Sequence, residues 1–169
     1  MQNCDGMLLV AQRHVRLSRL DSRFDGHGNV MDDRYDLQRF VDAQNPVYDT
    51  VCAELRAGSK RSHWMWFIFP QIKGLGTSAL AHKFAISSMA EAEAYLAHPV
   101  LGPRLRECSR LVANTEHRAI EEIFGYPDHM KFHSSMTLFA QTATDTAIFN
   151  DCLQKYFGAE PDSATLARL

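Results

Sequence analysis

The amino-acid sequence predicts a single all-α domain of about seven or eight short helices in an irregular array. No segment alternates apolar and polar residues convincingly over more than four positions, so no half-buried strand is read. From Tyr35 onward apolar residues recur instead at intervals of three, four and seven. Ser, Thr or Asp precede the periodic stretches and Gly or Pro follow them. At 169 residues the chain is long enough to bury a core without disulfide or metal staples.

Residues 1–34 read as an N-terminal extension, with the domain over 35–169. Arg13, Arg16, Arg19 and Arg23 are interspersed with few apolar residues, and the turn-rich run Asp25 to Asn29 breaks any helix. A loosely attached arm is expected, whose deletion leaves thermal unfolding nearly unchanged; Met31 stands where a start would remove it. An amphipathic helix over Gly6 to Leu20 is the competing reading.

Leu37, Phe40, Val41 and Gln44 give the first helix its buried face, with Asp32, Asp33 and Asp36 at its positive end. Pro46 suits the first turn of a second, in which Val47, Val51, Cys52 and Leu55 point inward and which Gly58 ends. Trp64 to Phe69 then form six consecutive apolar residues, too few to span a bilayer and too apolar to leave in water. Pro70 limits any helix there, so a short buried helix or extended plug is expected, leading into Gly74-Leu75-Gly76. The indole N–H groups of Trp64 and Trp66 need acceptors, and Gln71 is a candidate.

Thr77 or Ser78 caps a short helix ending at Phe84, and Ser88 with Glu91 has the spacing of a capping box for Met89 to Ala97. Leu101, Leu105, Leu111 and Val112 predict a helix from about Pro103 to Ala113. Thr115 opens another, with Ile120, Ile123 and Phe124 inward and Gly125 at its end. Asp128 is placed to cap Met130 to Gln141, where Phe132, Met136 and Phe139 line up. Thr144 or Asp145 caps a helix that carries Ile148, Cys152 and either Leu153 or Tyr156 inward. Pro161-Asp162-Ser163 opens a last helix to Leu169.

Acidic residues outnumber basic ones by 20 to 18, so the chain has no global electrostatic footprint for nucleic acid or an anionic membrane, and neither partner is expected. Cys4, Cys52, Cys108 and Cys152 are too evenly spread for a CxxC motif, and Met7 to Ala11 is too short for a signal peptide. Buried thiols in a cytoplasmic protein are expected. No cofactor is indicated, and the oligomeric state is not written in the sequence.

Function is expected around residues 60–78, KRSHWMWFIFPQIKGLGTS, where aromatic mass meets basic groups and turn-forming glycines. His63 suits acid-base work or ligand contact, against the plainer role of anchoring the segment to a backbone carbonyl. Gly74, Gly76, Thr77 and Ser78 offer N–H groups and hydroxyls to a phosphate, although they match neither a P-loop nor a Rossmann fingerprint and also suit a plain turn and cap. Lys131 and the pair Ser134, Ser135 lie three and four apart on one helix. Their order reverses the Ser-x-x-Lys of acyl-transfer enzymes, which argues against a serine hydrolase, and close helix packing also accounts for the serines. His129 and His133 lack a third ligand, so no metal is expected.

A polar break in a buried helix needs a partner, and Lys131 and Ser134 are therefore expected to face the same cavity as His63. In that site His63, Lys131 and Ser134 are the catalytic candidates; Trp64, Trp66, Gln71, Gly74, Gly76, Thr77, Ser78 and Ser135 contact the ligand. The ligand is an anion with a flat ring, such as a nucleotide or ADP-ribose derivative. The rival reading is a protein-interaction module with an exposed helical groove, the aromatic segment being core only.

Asp36 to Gln44 (DLQRFVDAQ), Lys60 to Gln71 (KRSHWMWFIFPQ), Gly74-Leu75-Gly76, Tyr95 to Leu105 (YLAHPVLGPRL), Glu122 to Gly125 (EIFG) and Ser134 to Phe139 (SSMTLF) resemble a mainly bacterial family. It is that of domains of unknown function numbered eighteen-ten, often mislabelled calpastatin. The resemblance runs from about Tyr35 to Leu169. It implies a mainly α-helical cytosolic domain and no established activity. His129 and His133 fall where other residues are expected in the family.

Overall fold

Burial follows the predicted periodicity from the first helix of the computed structural model, which describes residues 33–169; the expectations for the arm before Asp33 lie outside the described residues. Helix α1 (Gln38–Gln44) buries Phe40, Val41 and Gln44, with Leu37 buried just ahead of it. The Asp33 carboxylate accepts from the backbone N–H groups of Leu37 and Gln38, so one of the acidic residues placed at the helix's positive end serves it directly. Helix α2 (Tyr48–Arg56) turns Val51, Cys52 and Leu55 inward, and Gly58 follows with φ of 60°, a left-handed backbone that favours glycine. The aromatic segment forms the one-turn helix α3 (Met65–Ile68) ahead of Pro70.

Ser78 and Ser88 cap α4 (Ala79–Lys83) and α5 (Met89–Ala97) through their side chains. The chain continues through α6 (Leu101–Ala113), α7 (Ile120–Phe124), α8 (Asp128–Ala140), α9 (Ala147–Phe157) and α10 (Ser163–Leu166), the last capped by Asp162. The described residues form ten helices rather than seven or eight and no strand. Four of them, α3, α4, α7 and α10, have only four or five residues, and helices so short hold through packing rather than propensity.

Several boundaries differ from the sequence expectation: α2 begins at Tyr48, past Pro46, α9 begins at Ala147 with no cap from Thr144 or Asp145, and α10 ends at Leu166 rather than Leu169. α6 begins at Leu101, which puts Pro103 in its first turn, where a missing N–H costs nothing. α7 begins at Ile120 rather than Thr115, because the Thr115 hydroxyl bonds back to the Leu111 carbonyl and so closes α6. α8 begins at Asp128, whose carboxylate pairs with side chains instead of capping the helix.

Helix α8 packs against α3, α5, α7, α9 and α10, and α6 against α2, α3, α5 and α9, so these two long helices form the middle of the domain. Phe132 of α8 meets Phe69 edge-on and Phe124 face-on, each with centroids 4.9 Å apart, and Trp64 meets both Phe69 and Phe124. Such pairs add roughly 0.5–1.5 kcal/mol each beyond their buried area. The buried Gln44 amide is paired: it donates to the Phe67 carbonyl at 2.8 Å and lies 3.0 Å from the Tyr95 hydroxyl. Cys52, Cys108 and Cys152 are buried free thiols. No helix among the described residues is long and apolar enough to cross a membrane.

One extended contact matters for the site. Ile72 and Ile86 form an isolated parallel bridge, in which Ile86 N donates to Gln71 O (2.9 Å) and Lys73 N to Ile86 O (2.8 Å). The loop after α3 is thereby fixed to the segment between α4 and α5.

Candidate functional site

Residues three and four apart on a helix share a face, and one face of α8 carries Met130, Lys131 and Ser134 just beyond Tyr126 and Pro127. Opposite lie Gln71, Leu75 and Gly76 from the loop after α3, with Asp162 and Ala164 from the start of α10. Together with His133 these residues line an open cavity of about 390 Å³, within the size range of small-ligand sites. Local sequence sets the walls. Gly125, with φ of 72°, ends α7, and the cis Tyr126–Pro127 bond leads into α8. Gly76 is needed for close approach: a Cβ there would lie 2.5 Å from that of Ala81 in α4.

The charged wall is built around Asp128. Its carboxylate takes Lys131 Nζ on one oxygen and Lys60 Nζ on the other, both at 2.7 Å. Each lysine also sits over a tryptophan, Lys131 at 4.3 Å from the Trp66 ring centroid and Lys60 at 5.1 Å from that of Trp64. Burial pushes the Asp128 carboxyl up, but the hydrogen bonds and charges of Lys131 and Lys60 outweigh it and hold the group below its usual range. Two ammonium groups thus share one carboxylate, and the cluster keeps a net positive charge.

The opposite end is rich in acceptors. Ser134 Oγ lies 2.9 Å from Asp162 Oδ2, to which it donates, and 3.1 Å from the Met130 carbonyl. Asp162 Oδ2 also accepts from the backbone N–H and the hydroxyl of Thr165. Burial raises the Asp162 carboxyl, and the bonds from Thr165 and Ser134 more than offset that, leaving it below the usual carboxylate range. His133 stacks on Phe157 with centroids 3.9 Å apart, and its Nε2 lies 2.7 Å from the Glu160 carbonyl.

A family model described as "Protein of unknown function (DUF1810)" matches residues 34–169. The chain belongs to this family. The crystal structure of the conserved hypothetical protein Rv1873 from Mycobacterium tuberculosis, at 1.38 Å, is 56% identical to it in sequence. The match covers 81% of this chain and 98% of that one with a TM-score of 0.80. No curated protein matches the chain.

Of the residues singled out in the sequence, the DUF1810 fold brings Gln71, Gly76, Lys131 and Ser134 to one cavity, with Trp66 beneath the lysine. His63 is not part of it: the side chain is exposed and no hydrogen bond, ion pair or ring contact ties it to a described residue. It precedes α3 and turns outward where its neighbour Trp64 turns in. Trp64 is buried in the core, and its Nε1 donates to Glu54 Oε2 at 2.8 Å rather than to Gln71. Gly74, Thr77 and Ser78 lie outside the lining. Gly74 takes a positive φ of 95°, and the Ser78 hydroxyl is taken by Ala81 N in capping α4.

Ser135, one position on from Ser134 and therefore rotated by about 100° around α8, is also outside the cavity. Its Oγ is fully buried without a hydrogen-bond partner. Ser135→Ala is accordingly expected to leave stability unchanged or raise it by up to about 1 kcal/mol in chemical denaturation. A loss of that size would show that the hydroxyl is used.

The cavity residues missed by the sequence reading are Leu75, Tyr126, Pro127, Met130, His133, Asp162 and Ala164. Met130 lies one turn before Ser134 on α8, so extending that stripe one turn would have found it, whereas Tyr126 precedes the helix across the cis bond to Pro127. Asp162 reaches Ser134 from 28 positions away, and only the packing of α10 on α8 reveals it.

Proposed function

We propose that this domain binds a small anionic molecule carrying a flat ring, of the nucleotide class, in the cavity beside α8. The observation that carries the reading is that Lys131 and Ser134 line one cavity with the apolar surfaces of Tyr126, Pro127, Met130 and Leu75. A ring lies against the apolar wall while the anionic end reaches the positive lysine cluster. Binding is favoured over catalysis. The Ser134 hydroxyl is already engaged, and the Asp162 carboxylate beside it is held below its usual range, which makes it a weak base. Buried free thiols support a reducing, cytoplasmic setting.

The test is a thermal-shift screen of nucleoside mono- and diphosphates. A ligand present at a hundred times its Kd stabilises by about 2.7 kcal/mol, enough to read as several degrees. Lys131→Ala, in which Lys60 still pairs with Asp128, is expected to abolish that shift while the unliganded protein melts cooperatively. A shift that survives in Lys131→Ala, or no shift with any compound, counts against the site. The second reading, a protein-interaction module, is favoured by Tyr126 and Met130 at the cavity mouth, 83% and 53% exposed.

A further inference from the structure

Resting on that reading of the cavity, we infer that Gln71 selects the ring of the ligand, and that the ring is an amino-substituted nitrogen heterocycle. Gln71 lines the cavity, half-buried, and its side chain makes no hydrogen bond to any described residue. The contrast within the fold is direct, since the inward amide of Gln44 contacts Phe67, Tyr95 and Arg104. The Gln71 backbone is not loose, because its carbonyl is pinned by Ile86 N at 2.9 Å and the next rung holds Lys73. An unpartnered amide carried on a fixed backbone at the cavity wall is free to pair with something that enters from outside.

An amide presents an acceptor and a donor side by side, which complements an amino group next to a ring nitrogen, as in adenine. The second hydrogen of such an amino group needs an acceptor too. The same lining holds Asp162, whose carboxylate can accept it. A cyclic amide edge, with a single N–H, leaves that acceptor unmatched.

Calorimetric titration with three probes tests this: adenosine monophosphate, purine riboside monophosphate, which lacks only the amino group, and ribose phosphate. The wild-type chain is expected to prefer adenosine monophosphate over the purine analogue by roughly 10- to 100-fold. Gln71→Ala removes a side chain with no internal bonds, so its melting temperature stays unchanged. It is expected to bring the two nucleotides within about twofold of each other and to leave ribose phosphate binding as it was. Equal affinities in the wild-type chain, or a preference retained in Gln71→Ala, overturn the inference. If ribose phosphate still binds and loses affinity in Lys131→Ala, the cavity reading survives that failure; if none of the three probes binds, both fall.

Discussion

Replacing Arg39 by alanine is expected to destabilise the domain by about 3–5 kcal/mol, the cost of leaving a buried charge without its partner. Glu91 is 2% exposed, and its carboxylate is satisfied by Arg39 Nη2 at 2.7 Å together with the Ser87 N–H and hydroxyl. The guanidinium also donates to the carbonyls of Lys83 and Ala85, both at 3.0 Å, and to those of Tyr35 and Asp36. One side chain therefore joins α1 to the segment between α4 and α5. Alanine leaves the carboxylate with Ser87 alone and strips several carbonyls of a donor. Urea denaturation checks the value, and a loss below about 1 kcal/mol, as at an exposed pair, would show that water replaces the arginine. Adding Glu91→Gln to Arg39→Ala is expected to recover part of the loss, since no buried charge then remains.

Glu54→Gln is expected to cost about 3 kcal/mol, or a fall in Tm of roughly 10 °C. The Glu54 carboxylate accepts from the backbone N–H groups of Arg61 and Ser62, from the Ser62 hydroxyl and from the Trp64 indole. It is the clamp that sets the aromatic segment into the core. Glutamine keeps one acceptor oxygen and turns an NH2 group toward donors. The pH dependence supplies an independent readout. Burial pushes the Glu54 carboxyl up, but the bonds from Arg61, Ser62 and Trp64 outweigh it and bring it from 4.5 down to about 2. A depressed carboxylate contributes its stability in full above the unfolded value and loses it as pH falls through the folded one. Wild-type stability should therefore decline from about pH 4.5 toward pH 2 more steeply than that of Glu54→Gln, with Asp128 and Asp162 contributing to both profiles. Parallel acid limbs would show that Glu54 is not the clamp.

The helices were legible because their signals are local. Ser88 announces α5 and Asp162 announces α10 within a few residues of the turn each one starts. Lys131 and Ser134 were legible for a different reason, as polar groups on a helix whose other turns supply core. What they met was not legible. His63 is adjacent in sequence to the largest buried side chain, yet the backbone preceding α3 sends the two residues to opposite environments. The acceptor for Trp64 was sought ahead of it at Gln71, whereas Glu54, on the previous helix, folds back to fill that role. Gln71 itself lines the cavity, although the Trp64 indole it was expected to serve bonds to Glu54. The Gln71 side chain makes no hydrogen bond to any described residue.

The isolated bridge between Ile72 and Ile86 has only two rungs and no neighbouring strand across which to spread a displacement. Arg39 grips the carbonyl of Ala85, one residue before the bridge, so movement of α1 passes to Ile86 and from there to the backbone of Gln71. A substitution on α1, remote from every lining residue, is thus expected to shift the backbone of Gln71 while the lining residues themselves stay the same.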